Sequence, residues 1–294
     1  MMKERTLRVL EFTKIRDRLA SKAMTDMGRE RCEALVPSSN MTEIQRMQAE
    51  TEEATVILQY VGASPLVPFS DVRASLTLAE KGATLSPKAL LEVAALMQSA
   101  RAARKALDTE RDNTPILKEL AQRLSTLHNV EQDITNAIIS EDEIADRASN
   151  ELMDIRRHLR GANERIKEKL NQMIRSSAFQ KYLQDPIVTM RNDRYCLPVK
   201  AEYRGSVPGL VHDQSSTGAT LFIEPMAAVE MGNELKTWAA KEKQEIERIL
   251  SALSAEIAPY ADQLRETVET LAELDYIFAK GMLSREMNAV SPKL

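Results

Sequence analysis

One stretch of the chain, HDQSSTGATLFIEP at residues 212–225, concentrates side chains that could do chemistry. It places a histidine, an aspartate, two serines, two threonines and a glutamate around Gly218. Three kinds of site use such residues: a Ser-His-Asp hydrolase centre, a loop that cradles phosphate, and a metal site. A fourth interpretation is a polar turn that joins two strands.

A hydrolase centre needs a histidine that a carboxylate orients and that lies within hydrogen-bond reach of the serine. His212 and Asp213 are neighbours in the sequence, and neighbouring side chains of a strand point to opposite faces. They cannot easily converge on Ser215, so we expect no catalytic residues in this chain. A hydrolase at 212–225 remains a formal alternative, and it predicts that Ser215→Ala abolishes an activity while the fold persists.

The phosphate and metal interpretations fail on residue types. A phosphate-binding P-loop requires two glycines and a lysine at fixed spacing, whereas this stretch has one glycine and neither lysine nor arginine. No such motif occurs elsewhere in the 294 residues. The three histidines, His128, His158 and His212, are isolated, and no paired-cysteine spacing occurs. We therefore expect neither a metal site nor a bound cofactor.

The polar-turn interpretation accounts for the residue types. Short polar side chains hydrogen-bond to nearby backbone and fold a turn, and glycine supplies conformational freedom. The glutamate and the proline after it then return the chain to helix. We predict that five residues shape this turn and its closing strand: Asp213, Ser216, Thr217, Gly218 and Glu224.

The stronger functional signal lies upstream, in PIVTMRNDRYCLPVKAEYRG at residues 186–205. Strand-forming runs flank an Asn-Asp pair that tolerates positive φ, so a hairpin is predicted there. Basic side chains at a hairpin tip can pair with phosphates without reading bases, which makes binding sensitive to salt and tolerant of sequence. The predicted nucleic-acid contacts are Arg191, Asn192, Arg194, Lys200 and Arg204, of which Asn192 could equally shape the turn.

Charge is distributed unevenly along the chain. The formal net charge is −4, which argues against a uniformly basic nucleic-acid binder. Between residues 156 and 204, however, twelve basic side chains face five acidic ones, a surplus of +7. Such a segment is compatible with phosphate binding, but the charged face of a long helix is also commonly just solvated. For the helical part of the segment both interpretations stand.

Helices must position this segment, because 9 glycines and 11 prolines leave little room for many strands and turns. Up to about residue 130 the pattern predicts several helices. Asn40, Ser86-Pro87 and Thr114-Pro115 are helix start signals, since a capping side chain precedes the first helical residue. The first helix is predicted from an apolar stripe of Leu7, Leu10, Ile15 and Leu19.

Two long helices are predicted further on. Apolar residues recur every three or four positions between 145 and 173, which favours a coiled-coil-like helix over about 141–182, roughly 60 Å long. A second stripe runs from Ile246 to Leu274, and Pro259 within it predicts a local kink or break. Because the two helices have similar reach, they are expected to bury their stripes against each other, with about four short strands between them.

The predicted fold is therefore mainly α: a helical core domain plus a long antiparallel helical arm tipped by a small β module. The predicted parts are a core domain at 1–135, an outgoing arm helix at 136–184, a β-rich clamp tip at 185–226 and a returning helix at 227–294. No apolar run is long enough to span a bilayer, and the N-terminus lacks a signal sequence. The expected compartment is the cytoplasm.

Several runs resemble a known family, the second bacterial MutS family or Smr-linked MutS-II branch. HD-x-S-x-TGAT-x-FIEP is the most specific of them. The runs similar to the N-terminal half of that family are PIVTMRNDRYCLPVKAEYRG, GLVHDQSSTGATLFIEP, KEKQEIERIL and LDYIFAKG. Two more, LEFTKIRDRLA and PFSDVRASLTLAEKGATLSP, resemble its start.

The resemblance implies a helical core, a lever of long helices and a clamp, which by position would be residues 186–225. In the family an ABC-type ATPase that dimerises and a C-terminal Smr domain follow, and members are associated with branched DNA, suppression of recombination and rescue of collided ribosomes. Because this chain stops at Leu294 before any Walker motif, ATP and magnesium binding, nuclease activity and ATPase-mediated dimerisation are not expected of it. Self-association through the arm stays open.

We therefore predict a non-enzymatic lever and clamp that grips the backbone of branched or duplex DNA, the ribosome, or both, without a membrane partner. The alternative is a coiled-coil scaffold that docks onto proteins. Phosphate binding should weaken steeply with salt. Protein docking should depend more on apolar tip residues such as Leu210 or Phe222.

Overall fold

The structure is a computed structural model that describes residues 4–108 and 113–293. It is mainly α-helical, as the sequence predicts. The helices are α1 (Glu4–Val9), α2 (Phe12–Ala20), α3 (Asp26–Glu33), α4 (Met41–Val61), α5 (Arg73–Glu80), α6 (Pro87–Leu107), α7 (Pro115–Gln122), α8 (His128–Ala137), α9 (Asn150–Arg175), α10 (Ser177–Gln180), α11 (Met226–Ile257) and α12 (Ala261–Met287). The strands are β1 (Ile138–Ser140), β2 (Glu143–Ile144), β3 (Thr189–Arg191), β4 (Arg194–Lys200), β5 (Gly209–Gln214) and β6 (Thr220–Pro225).

The chain divides into two compact units. The first comprises the described residues up to Ala145 together with those from Leu250 onward, and the second comprises Asp146–Ile249. Among the described residues, no helix combines the length and the hydropathy that crossing a membrane requires.

Helix α12 supplies the central apolar face of the first unit. Its buried residues recur every three or four positions, as at Leu264, Val268 and Leu271, and it packs against α4, α3 and α5. At Gly281 an added Cβ would lie 3.0 Å from the Cβ of Ala54, so the glycine permits the close approach of α4. The sequence predicts that this stripe faces the other long helix, whereas from Leu250 onward the structure buries it within the first unit.

Two of the three predicted helix caps are confirmed. The Asn40 side chain accepts hydrogen bonds from the backbone N–H groups of Thr42 and Glu43 in α4, and the Ser86 hydroxyl accepts one from Ala89 in α6. Thr114 precedes α7 as predicted, but its hydroxyl is buried and has no partner among the described residues. The carboxylate of Glu53, from α4, accepts two N–H groups of α7 instead, at 3.2 and 2.8 Å.

The prediction of one continuous first helix is wrong. Glu11 adopts φ +53° and separates α1 from α2. Of the predicted stripe, Leu10 remains 62% exposed, whereas Leu19 is buried. The left-handed residue interrupts the helix, so the predicted stripe is not one continuous surface.

The predicted start of the first long helix is also wrong. Strands β1 and β2 form a small antiparallel pair where the helix was expected to begin, and α9 starts at Asn150, capped by the Ser149 hydroxyl. Helix α9 has 26 residues, which corresponds to ~39 Å rather than ~60 Å. At its C-terminal end Ser176 separates it from α10.

In the second unit α9 and α11 run antiparallel. Arg165 contacts Glu234 at 2.9 Å, and Arg156 contacts Glu242 at 2.6 Å. Partner numbers on α11 rise as those on α9 fall, which is the signature of antiparallel helices. The interruption predicted at Pro259 is confirmed, because a 3-10 turn at Ala258–Tyr260 separates α11 from α12.

The four predicted strands at the tip are confirmed as one antiparallel sheet in the order β3-β4-β6-β5. Asn192 and Asp193 join β3 to β4 with φ of 48° and 58°, as a type I′ hairpin turn requires. The second turn spans 215–219, between β5 and β6. One face of the sheet packs with α9 and α11 around a buried cluster of Ile166, Leu170, Ile174, Leu183, Tyr195, Leu197, Val199, Val207, Ile223 and Ala228.

Candidate nucleic-acid interface

Strand β4 separates the five predicted contact residues into two groups. Arg191, Asn192 and Arg194 lie at the β3–β4 turn, whereas Lys200 and Arg204 lie at and beyond the other end of β4. A seven-residue strand is about 20 Å long. The five residues therefore do not form a single cluster.

Arg194 is engaged inside the protein. Its Nη1 donates to the carboxylate of Glu224 at 3.1 Å, and its Nη2 donates to Asn233 on α11 at 2.9 Å. Glu224 is fully buried, and His212 Nε2 lies 2.8 Å from its other oxygen. The Arg194 side chain is 17% exposed. This placement argues against the predicted phosphate contact and makes Arg194 the counter-charge of a buried carboxylate.

Gly232 on α11 makes room for this buried pair. A Cβ added there would lie 2.5 Å from Glu224 Oε1 and 2.9 Å from Arg194 Nη1. Sequence reasoning missed Gly232 and Asn233 because their role depends on contacts with β4 and β6. Glu224 was predicted to shape the closing strand, and its buried charge has no local sequence signal.

Arg191 and Asn192 tie the β3–β4 turn to β5. Arg191 Nε lies 3.2 Å from Asp213 Oδ2, and its guanidinium stacks 4.0 Å from the ring centre of Phe222. The Asn192 side chain donates to the carbonyl of His212 at 3.1 Å. The turn therefore folds across the sheet to the far edge strand. Of the two roles predicted for Asn192, this contact favours the structural one, while Arg191 remains 37% exposed.

The turn at 215–219 is built from local hydrogen bonds. The Ser215 hydroxyl accepts the N–H of Thr220 at 3.1 Å and lies 3.4 Å from the Thr217 hydroxyl. Gly218 has φ +71°, and its N–H donates to the Ser215 carbonyl at 2.8 Å. Asp213 accepts the next backbone N–H at 2.8 Å. Ser216 is exposed and makes no hydrogen bond within the described part of the chain, so its shaping role stays a prediction.

The geometry gives the hydrolase alternative no support. His212 is the extra residue of a β-bulge, since Val211 pairs with Ile223 and Asp213 pairs with Phe222. The bulge breaks the expected strand alternation, yet the imidazole is directed at Glu224 rather than at Ser215. Within residues 4–108 and 113–293, no group of three or more His, Cys, Asp or Glu side chains could hold a metal ion.

Lys200 is in backbone contact with Tyr182, and Arg204 follows Tyr203 in the chain. The Lys200 N–H donates to the carbonyl of Tyr182 at 3.0 Å, so the segment after α10 runs along the end of β4. The Tyr182 ring lies 5.3 Å from that of Tyr203 and 5.9 Å from that of Phe179. We call this surface the basic–aromatic edge; its members are Phe179, Lys181, Tyr182, Lys200, Tyr203 and Arg204.

Within the described residues, the cations of the basic–aromatic edge have no carboxylate partner. Lys181, whose ammonium lies 4.9 Å from the Tyr182 ring centre, was missed by sequence reasoning because the contact depends on tertiary structure. Arg204 donates to the carbonyls of Val207 and Gly209 at 3.3 and 3.1 Å. Among the side chains that the structure describes, neither lysine nor Arg204 forms an ion pair. Their charge is therefore uncompensated by contact.

The basic residues of α9 are mostly paired. Arg156 bonds to Asp146 and Glu242, and Arg160 bonds to Asp146. The hydrogen bond from Arg156 holds the pKa of Asp146 below its ordinary value. Arg165 is paired with Glu234. For these residues the contacts favour a structural role over one in phosphate binding.

Comparison with known proteins agrees with the family resemblance that the sequence motifs indicate. No protein-family model matches the chain. The protein named endonuclease MutS2 of Alkaliphilus oremlandii is 48% identical over the whole chain, and those of Acetivibrio thermocellus and Symbiobacterium thermophilum are each 46% identical over the whole chain. The chain spans 37% of the length of each of these relatives. The resemblance seen in the sequence is confirmed, and the chain belongs to the second bacterial MutS family.

Proposed function

We propose that the second unit binds the sugar–phosphate backbone of a nucleic acid and catalyses no reaction itself. The observation that carries this proposal is the basic–aromatic edge, where Lys181, Lys200 and Arg204 have no carboxylate partner within the described residues. Cations without a carboxylate partner can replace the counterions that condense on phosphates. The arrangement favours binding to the backbone over reading of base edges.

The proposed partners are branched or duplex DNA, in suppression of recombination, and ribosomal RNA of collided ribosomes, in ribosome rescue, both in the cytoplasm. The name endonuclease belongs to relatives of which this chain spans 37%, and we assign cleavage to no residue of this chain. Binding by this segment is proposed to need neither ATP nor magnesium, so a chelator should leave it unchanged.

A second candidate function is docking onto a protein. Several large apolar side chains of the β module are exposed by about half, which favours contact with an apolar surface. They are Ile187, Met190, Leu210 and Val211. Docking through these residues would be insensitive to salt and would be lost in Leu210→Ser.

The test is fluorescence anisotropy with labelled linear duplex and four-way-junction DNA across a salt series. Lys181→Gln/Lys200→Gln should weaken binding and flatten the plot of log affinity against log salt by about 0.9 for each duplex phosphate that the variant no longer neutralises. The control Lys14→Gln/Lys105→Gln removes the same charge from exposed sites of the first unit. Equal affinity and equal slope for the two variants would refute the proposal, and a preference for the junction would indicate recombination intermediates.

A further inference from the structure

Aromatic side chains are scarce in this chain, yet three of them gather at the basic–aromatic edge. The whole chain has 1 Trp, 6 Tyr and 5 Phe. Phe179, Tyr182 and Tyr203 are only partly buried and pack against the second unit's buried cluster, whose members are aliphatic apart from Tyr195. Rings at a rim retain part of their faces for contact with another molecule.

The tyrosine hydroxyls at this edge also lack a partner among the described residues. Tyr195, in the same unit, donates its hydroxyl to Asn163 at 2.8 Å, as a buried tyrosine normally does. The hydroxyls of Tyr182 and Tyr203 form no hydrogen bond within the described part of the chain. Core packing therefore accounts for the apolar part of these side chains and leaves their polar ends to solvent or to a ligand.

The orientation of the rings and the position of Lys181 determine what kind of ligand the basic–aromatic edge could bind. The rings of Tyr182 and Tyr203 are tilted by 56°, so they do not cover each other face to face. The Lys181 ammonium lies over the Tyr182 ring, on a flexible stem that can swing to a phosphate. Lys200 is next to Tyr182, because its backbone N–H donates to the Tyr182 carbonyl. The edge thus combines flat apolar faces with two movable positive charges.

We propose that Tyr182 and Tyr203 stack on an unpaired base of the bound nucleic acid, while Lys181 and Lys200 pair with the flanking phosphates. This inference rests on the proposed function and narrows its substrate class to nucleic acid with a single-stranded segment. Bases within a duplex stack on one another and offer no free face, so a flap, loop or overhang is required. Stacking on aromatic rings tolerates any base, which agrees with backbone binding.

The experiment compares a blunt DNA duplex with the same duplex that carries a short single-stranded dT overhang, both fluorescein-labelled. The unaltered chain should bind the overhang duplex about 5- to 100-fold more tightly. Tyr182→Leu/Tyr203→Leu keeps apolar volume at the rim but removes the flat faces, so it should lose this preference and keep its blunt-duplex affinity. Tyr182→Phe/Tyr203→Phe retains the rings and should retain the preference.

Controls separate this inference from the proposed function. Tyr260→Leu removes a half-buried ring of the first unit and should change nothing. Lys181→Gln/Lys200→Gln should weaken binding of both duplexes. Absence of an overhang preference in the unaltered chain overturns the stacking inference while blunt-duplex binding still supports the proposed function, and failure to bind either duplex refutes both.

A direct contact measurement decides the case in which the leucine variant fails to fold. An overhang that carries 5-iododeoxyuridine, irradiated in complex with the unaltered chain, should crosslink to the peptides that contain Tyr182 or Tyr203. Crosslinks confined to other peptides would contradict the inference.

Discussion

Arg191 and Arg194 lie three positions apart in the sequence, on either side of one turn, yet their surroundings differ. Arg194 compensates Glu224, a carboxylate with no exposed surface, and is itself mostly covered. Arg191 faces the half-exposed Asp213. A charge pattern in a sequence does not separate these roles, because burial of the partner decides whether the arginine is free to contact a ligand.

The first prediction concerns this pair of arginines. Arg194→Met leaves Glu224 buried without its cation and should lower the free energy of unfolding by about 3 kcal/mol. Arg191→Met removes a partly exposed ion pair and should cost less than about 1 kcal/mol. Urea unfolding followed by the fluorescence of Trp238 measures both. Equal losses of unfolding free energy in the two variants would show that the burial of Glu224 does not control stability.

The second prediction concerns the same substitution at two glycines. Gly232→Ala drives a methyl group into the Glu224–Arg194 pair and should destabilise the second unit by about 1–3 kcal/mol. At Gly161, in the middle of α9, the nearest atom to an added Cβ is 3.8 Å away. Gly161→Ala should therefore stabilise the unit by up to about 1 kcal/mol, since alanine favours helix. The thermal midpoints should move in opposite directions.

At the scale of elements, local signals in the sequence predicted what local forces determine. The Asn192-Asp193 turn, the proline break near Pro259 and the caps at Asn40 and Ser86 all depend on residues within a few positions. The cap of α7 could not be predicted, because Glu53 reaches it from a helix about sixty residues earlier. A side chain from a distant segment replaces the local hydroxyl whenever packing brings it closer.

For the candidate site, too, the sequence predicted only what depends on neighbouring residues. Its cations were visible as a charge surplus, but the partition into paired and unpaired groups was not, because it depends on Asp213, Glu224 and Asp146. Lys181 and the rings beside it were missed because the bridge between Leu183 and Val199 joins segments that the periodicity assigned to different elements.

The third prediction concerns the start of α9, where the hydrogen bond from Arg156 lowers the pKa of Asp146 from its ordinary value of 3.8. A carboxylate with a lowered pKa stabilises the folded state above the unfolded pKa, and this contribution disappears as pH falls through the folded pKa. Thermal stability should therefore drop as the pH falls below about 4, the ordinary pKa of an aspartate, and Arg156→Met should reduce that drop by being less stable above this pH.

Arg157→Met is the matched control for this measurement. Arg157 lies one position away on α9, and both it and its partner Asp154 are more than half exposed. The thermal stability of this variant should depend on pH in the same way as that of the unaltered chain. If the thermal stabilities of the Arg156→Met and Arg157→Met variants decrease equally as the pH falls, the role of the Asp146 ion pair is contradicted.

At the scale of the whole molecule, charge divides between the two units. Residues 146–249 carry seventeen basic and fifteen acidic side chains, a net +2, within a chain whose formal net charge is −4. The remaining residues therefore carry −6. Since phosphate repels acidic surfaces, the second unit is the one that should hold the nucleic acid.

The last prediction is that the two units unfold separately. The second unit is shorter, and folding a shorter chain buries a smaller fraction of its surface. Trp238 is the only tryptophan of the chain and lies in that unit, whereas far-UV circular dichroism reports helices of both. In urea, the tryptophan signal should change at a lower concentration than most of the helical signal. Gly232→Ala should shift the tryptophan transition further and leave the later helical phase in place. If the two signals coincide in both proteins, the chain unfolds as a single cooperative structure, and the stability of the basic–aromatic edge would then depend on the first unit as well.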